Sequence, residues 1–208
     1  MALDAPEAAD AAEAIQEAAE AHRAENERFR RRAAIAIGVL AMLLAISSLG
    51  GGNATKEMLN ANIQASDTFA FYQAKNIRQT SNQLAADSLE ALLLSQPGMS
   101  DDARGEIQKR IDGYKATVTR YESEPATGEG KRELLETARA YEQRRDRAAK
   151  QDPNFDFAQA LYQIAIVLGS VSIVAASRRL LLVGIGLGLI ATALMLNGFL
   201  LLVDLPVG

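Results

Sequence analysis

Apolar residues along this chain gather in three blocks, and the long stretch between the first and second is strongly charged. The first block, Ala33 to Leu49 (AAIAIGVLAMLLAISSL), runs seventeen residues without a charge, at the short end of the roughly 17–25 needed to cross a bilayer. Gly50-Gly51-Gly52 extends it, so a transmembrane helix is predicted over 33–52. Phe157 to Ser177 and Leu180 to Val203 are two further uncharged blocks. They predict transmembrane helices over 154–177 and 180–203, and only Arg178-Arg179 lies between them, which demands a tight antiparallel turn.

Residues 53–153 carry a different pattern. From 54 to 95 there is neither Pro nor Gly until Gln96-Pro97-Gly98, a turn signal. A helix of that length would be about 60 Å long. Ser100 is placed to cap the next helix, with Asp101 and Asp102 in its first turn. On this return leg Ile107, Ile111, Tyr114, Val118 and Tyr121 follow alternating steps of four and three, the spacing of a narrow apolar seam. Residues 125–130 (PATGEG) interrupt it, and Leu134, Ala138 and Tyr141 resume it. Asp152-Pro153 is expected to open the last membrane pair, Asp as N-cap and Pro at the first helical position.

The outgoing helix has a seven-residue row, Ile63, Ala70, Ile77, Leu84 and Ala91, with a polar row, Ser66, Gln73, Thr80 and Asp87, beside it. So narrow a stripe cannot hold a lone helix, so it is expected to pack on the return leg, on copies of itself, or on both. The predicted fold is an all-α membrane protein: three transmembrane helices with a long extramembrane helical hairpin, a coiled-coil-like stalk, between the first and second. Residues 1–32 form an Ala/Glu-rich helical segment and 204–208 a short tail.

Within the stalk, SDTFAFYQAKNIRQ (66–79) concentrates aromatic, amide and cationic side chains. Phe69, Phe71, Tyr72, Gln73, Lys75 and Ile77 are read as helix-packing or partner contacts. In the third span Gly184-x-x-x-Gly188 has the small-xxx-small spacing that lets helix backbones approach. Gln159, Gln163 and Asn197 are the polar residues placed to pair across the last two spans.

Charge sets the orientation. Arg28, Arg30, Arg31 and Arg32 before the first span and Arg178-Arg179 between the others belong on one side, the cytoplasmic one by the positive-inside rule. The N-terminus is then cytoplasmic, with stalk and C-terminus extracytoplasmic, as in a multi-pass protein of a cell inner membrane. RFRRR followed by an apolar run also suits a cleaved signal peptide, but the long acidic Ala/Glu prefix is unlike a signal n-region.

Composition removes most chemistry. Among 208 residues there is no Cys and one His, His22, so disulfides and thiolate sites are excluded and a lone imidazole makes no metal centre. A net charge of −4 gives no basic face for nucleic acid. Phosphate-binding and hydrolase motifs are missing, the stalk carboxylates alternate with Lys and Arg as on a solvated helix, and the apolar blocks 33–49, 157–177 and 180–203 hold no Asp, Glu, Lys, Arg or His of the kind a pump or transporter uses. No enzymatic activity, cofactor or metal is expected. The expected partners are the lipid bilayer and copies of the same chain, and an unidentified membrane-protein partner is the alternative.

RFRRRAAIAIGVLAMLLAISSLGGGNA, ASDTFAFYQAKNIRQ with its core at Tyr72 to Lys75, FAQALYQIAIVLGSVSIVAASRRLL and the Asn197 to Phe199 tripeptide together resemble a family of bacterial membrane proteins catalogued as domain of unknown function 4337. The resemblance covers most of the chain after about residue 25 and implies fold and membrane location, with no reaction or catalytic residue to carry over. The expected role is an oligomeric scaffold or sensor acting through the stalk; the alternative is an accessory subunit of a channel or transporter.

Overall fold

The structure, a computed structural model, describes residues 5–204. The first four residues of the N-terminal segment and all but Asp204 of the expected tail lie outside them. Among the described residues there are four α-helices: α1 (Ala5–Ser95), α2 (Asp101–Glu122), α3 (Lys131–Val174) and α4 (Arg178–Leu200). Three of them, α1, α3 and α4, are long and apolar enough to cross a membrane. The chain divides into two compact units, one made of the residues up to Thr55 and from Ala149 on, the other of Lys56–Ala148.

The first unit packs α1, the second part of α3 and α4 around Leu40, Ala54, Phe155, Ala158, Tyr162, Ala165, Ala191 and Met195. Half of those residues are alanines, and Gly184, Gly188 and Gly198 are buried with them, while Ile35, Met42, Leu49, Val167, Leu182 and Leu189 point outward. α3 and α4 are joined by a turn at 175–177, with Ala176 in the left-handed region (φ 47°). α4 stops at Leu200, short of the predicted 203: Leu201 turns left-handed, and the Asn197 side chain binds both the N–H and the carbonyl of Val203, at 2.9 and 2.8 Å.

Pro153 departs from its sequence-based reading. It lies inside α3 rather than opening a helix, and the Asp152 carboxylate accepts a bond from the Thr55 hydroxyl at 2.8 Å instead of capping. A proline inside a helix removes one ladder bond. The neighbouring Asn154 amide restores a local contact by donating to the Lys150 carbonyl at 2.9 Å.

In the second unit α2 is paired with α1 in reverse order. Lys115 meets Glu90 at 2.5 Å, and farther along both helices the Gln79 amide donates to the Val118 carbonyl at 3.1 Å. Ser100 caps α2 through the Ala103 N–H, with Asp101 and Asp102 in the first turn. Ile111, Leu134 and Ala138 are buried and Tyr114, Val118, Tyr121 and Tyr141 partly so. The outgoing row is another matter. Ile63, Ile77 and Leu84 are 57, 66 and 60% exposed, and Ala70 and Ala91 are exposed with them. That row does not pack on the return leg. The buried seam of α1 is Ala61, Ala65, Thr68, Tyr72, Lys75, Gln79, Asn82 and Ala86, on the opposite side of the helix. It has the same alternation of four and three, written in small and polar residues that let α2 and α3 approach closely.

Candidate functional site

The structure gives the Ser66–Gln79 stretch a defined job in the second unit. Lys75 is only 5% exposed. Its ammonium lies 5.3 Å from the Phe71 ring and 5.5 Å from the Tyr121 ring, and it pairs with Glu124 at 3.8 Å and Glu129 at 3.5 Å. A cation this deep needs both carboxylate and aromatic faces to offset lost hydration. One helical turn on, the Gln79 amide donates to Glu122 at 3.0 Å and accepts from Lys131 at 2.7 Å, while Lys131 also lies 5.7 Å from the Tyr72 ring. Tyr72 and Lys131, with Glu122, Arg132 and Leu135, line a shallow cavity of about 210 Å³.

These side chains clasp the break between α2 and α3. Glu133 closes it from below. Its carboxylate accepts from the Ser123 hydroxyl at 2.5 Å and from the Glu124 N–H at 3.1 Å, and those two bonds hold the acid below the ordinary glutamate range. The Gln79 amide, then the Lys131 charge, lowers Glu122 likewise. Gly130 is required by space, since a Cβ there would stand 2.6 Å from the Ser123 Cα. Every buried side-chain nitrogen and oxygen among the described residues has a hydrogen-bond partner. The arrangement is therefore a structural network, one that holds the second-unit part of α1 in register with α2 and the start of α3.

Of the expected contact residues, Tyr72 and Lys75 lie in the clasp and Phe71 at its edge. Phe69 is half-buried, and Gln73 and Ile77 face outward. Burial of Lys75 was not legible from pattern, because the seam it belongs to is polar.

In the first unit the glycines are packing sites. A Cβ on Gly184 would lie 3.0 Å from the Ala165 carbonyl, and one on Gly188 would overlap the Leu40 side chain. The Gly50-Gly51 pair has the same function toward Phe155, a residue that no local pattern in the sequence marks. Its ring is wedged between Gly50 and Gly198 and meets Phe199 edge-on at 4.8 Å. Tyr162, equally unforeseen, is fully buried, its hydroxyl 3.0 Å from that of Thr192.

The polar residues pair differently from expectation. Asn197 meets neither glutamine: it donates to the buried Asn154 at 2.7 Å, because the turn at 175–177 sets α4 against α3 in a register that brings residue 197 to 154. Gln159 accepts from Ser48 of α1 at 2.9 Å. Gln163 is exposed.

Neither the curated proteins nor the solved structures offer a match to this chain. A family model described as domain of unknown function (DUF4337) matches residues 29–201, most of the sequence, including the clasp's Tyr72 to Lys75, the glycine-bound Phe155 and Asn197. The chain belongs to that family.

Proposed function

We propose that this protein crosses a membrane three times and works without catalysis, as a homo-oligomeric scaffold or sensor whose second unit is an extracytoplasmic helical stalk. The observation that carries the proposal is the stripe of Ile63, Ile77 and Leu84, more than half exposed on the side of α1 opposite its intramolecular seam. A helix that already has its return leg gains nothing within the chain from a second seven-residue apolar row. Such a row suits the same row on another copy, and Ser66, Gln73, Thr80 and Asp87, all exposed beside it, can set the register.

Membrane insertion is supported by the inverted dress of the first unit, small residues inside and Ile35, Met42, Leu49, Val167 and Leu189 outside. In water such a belt is an aggregation surface; in hydrocarbon it costs nothing. The arginines at 28, 30, 31, 32, 178 and 179 support a cytoplasmic N-terminus, with stalk and C-terminus on the other side of a cell inner membrane.

The test is native mass measurement of the protein in mild detergent or nanodiscs. A defined oligomer is expected, and Ile77→Glu with Leu84→Glu should reduce it to monomer while helicity is kept. A monomer at every concentration sinks the proposal. The second reading, an accessory subunit of a channel or transporter, is favoured by Gln163, which faces outward within a span and has no side-chain hydrogen bond among the described residues. Stoichiometric recovery of a larger polytopic protein, lost on Gln163→Leu, would establish it instead.

A further inference from the structure

At one end of the first unit, the start of α4 lies against α1 and leaves a groove of about 450 Å³ lined by Glu25, Arg28, Phe29, Arg32, Arg178 and the leucines 181 and 182. The volume is in the range of small-ligand sites. Its chemistry is two-sided. Arg28 and Arg32 are four residues apart and share one face of α1. Arg178 comes from α4 and is tied to α1 by its ion pair with Glu25. Three arginines against one glutamate leave the groove net positive. Neither Arg28 nor Arg32 forms an ion pair among the described residues, so two like charges stand one turn apart on the same face. The Ser177 hydroxyl makes no capping bond to α4, so the first N–H groups of that helix add to the positive field. The remaining wall is apolar: Phe29, Leu181 and Leu182.

From this we infer that the groove binds the phosphate headgroup of an anionic phospholipid, the guanidinium groups taking the phosphate and the apolar wall the first segment of the acyl chains. Arginine forks match phosphate oxygens in pairs. A free phosphate ion would use the arginines but has no need of Phe29, Leu181 and Leu182, so charge and wall together favour the lipid. The inference rests on the proposed membrane insertion and is independent of assembly through the stalk.

The experiment uses the full chain in nanodiscs of phosphatidylcholine with a minor share of phosphatidylglycerol, read by native mass spectrometry after release from the disc. The wild type should retain phosphatidylglycerol in preference to phosphatidylcholine. Arg28→Gln with Arg32→Gln should weaken that retention about 30-fold, which is about 2 kcal/mol, from roughly 1 kcal/mol per arginine near an anionic surface. Arg30→Gln with Arg31→Gln, which removes the same charge outside the groove, should leave it within about twofold. All four positions are exposed, so folding should be untouched, and far-ultraviolet helicity and recovery in the disc check this. Equal loss in the two double variants would reduce the effect to general surface charge and overturn the site. Equal retention of the two lipids would overturn it too. Displacement by millimolar inorganic phosphate would sink the lipid assignment in favour of the free ion. Failure to enter the disc at all would strike the membrane reading itself.

Discussion

Replacing Gly50 by Ala should destabilise the first unit, whereas the same change two residues on, at Gly52, should stabilise it. A Cβ on Gly50 would stand 2.5 Å from Cε1 and 2.8 Å from Cζ of Phe155. The ring cannot retreat, because a Cβ built on Gly198 is itself 2.9–3.1 Å from the same ring and Phe199 closes another edge. Overpacking of this kind costs about 1–3 kcal/mol. Removing a glycine from a helix interior returns up to about 1 kcal/mol, leaving Gly50→Ala about 0–2 kcal/mol destabilising, centred on about 1 kcal/mol. At Gly52 nothing lies within 4 Å of the added carbon, so only the favourable part, about 0.5–1 kcal/mol, applies. The two variants should therefore differ by about 2 kcal/mol with opposite signs, a contrast one residue type and one helix cannot produce by propensity alone. Unfolding by sodium dodecyl sulfate in bicelles, followed by helicity, measures it. Equal stabilisation by both substitutions would refute the wedge.

Lys75→Ala should cost about 2 kcal/mol through lost packing and cation–π contact, and hydrogen exchange should show residues 123–130 opening before the rest of the second unit. Because Glu133 and Glu122 titrate below their ordinary value in the folded protein, their contribution is present above about pH 4.3 and is lost as pH falls through the lowered folded values; thermal melts should show the second unit weakening only under that acidification, and Glu133→Gln should flatten the slope. Asn197→Leu should destabilise by about 1–2 kcal/mol, since it strands the buried Asn154 and frees the end of α4, and protease protection at 201–204 should fall. A cysteine introduced at Thr127, in a chain with no native cysteine, should react with an impermeant maleimide on intact spheroplasts; labelling only after lysis would reverse the proposed orientation.

The three long apolar helical stretches and the α3–α4 turn were legible because length and apolarity alone specify them. So was α2, whose partly buried face is written in Ile107, Ile111, Tyr114 and Val118. The α1 seam was not. Hydrophobic periodicity selects Ile63, Ile77 and Leu84, yet the face that packs within the chain carries Ala61, Ala65, Lys75, Gln79 and Ala86, whose value lies in small size and in partners supplied by the 123–133 segment. A buried lysine cannot be told from a solvated one until its carboxylates are placed. Likewise Gly50-Gly51-Gly52 reads as a neutral extension of a span until Phe155, more than a hundred residues away, is brought against it. Pro153 misled for the same reason: its helix-starting signal is local, and the contacts of Asp152 and Asn154 that carry α3 through it are not.

The most direct test of self-association is a cysteine scan along the outer face of α1. Single cysteines at Asn76, Ile77, Gln83 and Leu84 are all at exposed positions, so exposure alone predicts no difference among them. Oxidation of the protein in native membranes should yield disulfide-linked dimers strongly at 77 and 84 and weakly at 76 and 83. Uniform crosslinking, or none at 77 and 84, would contradict the assembly of copies through this stripe.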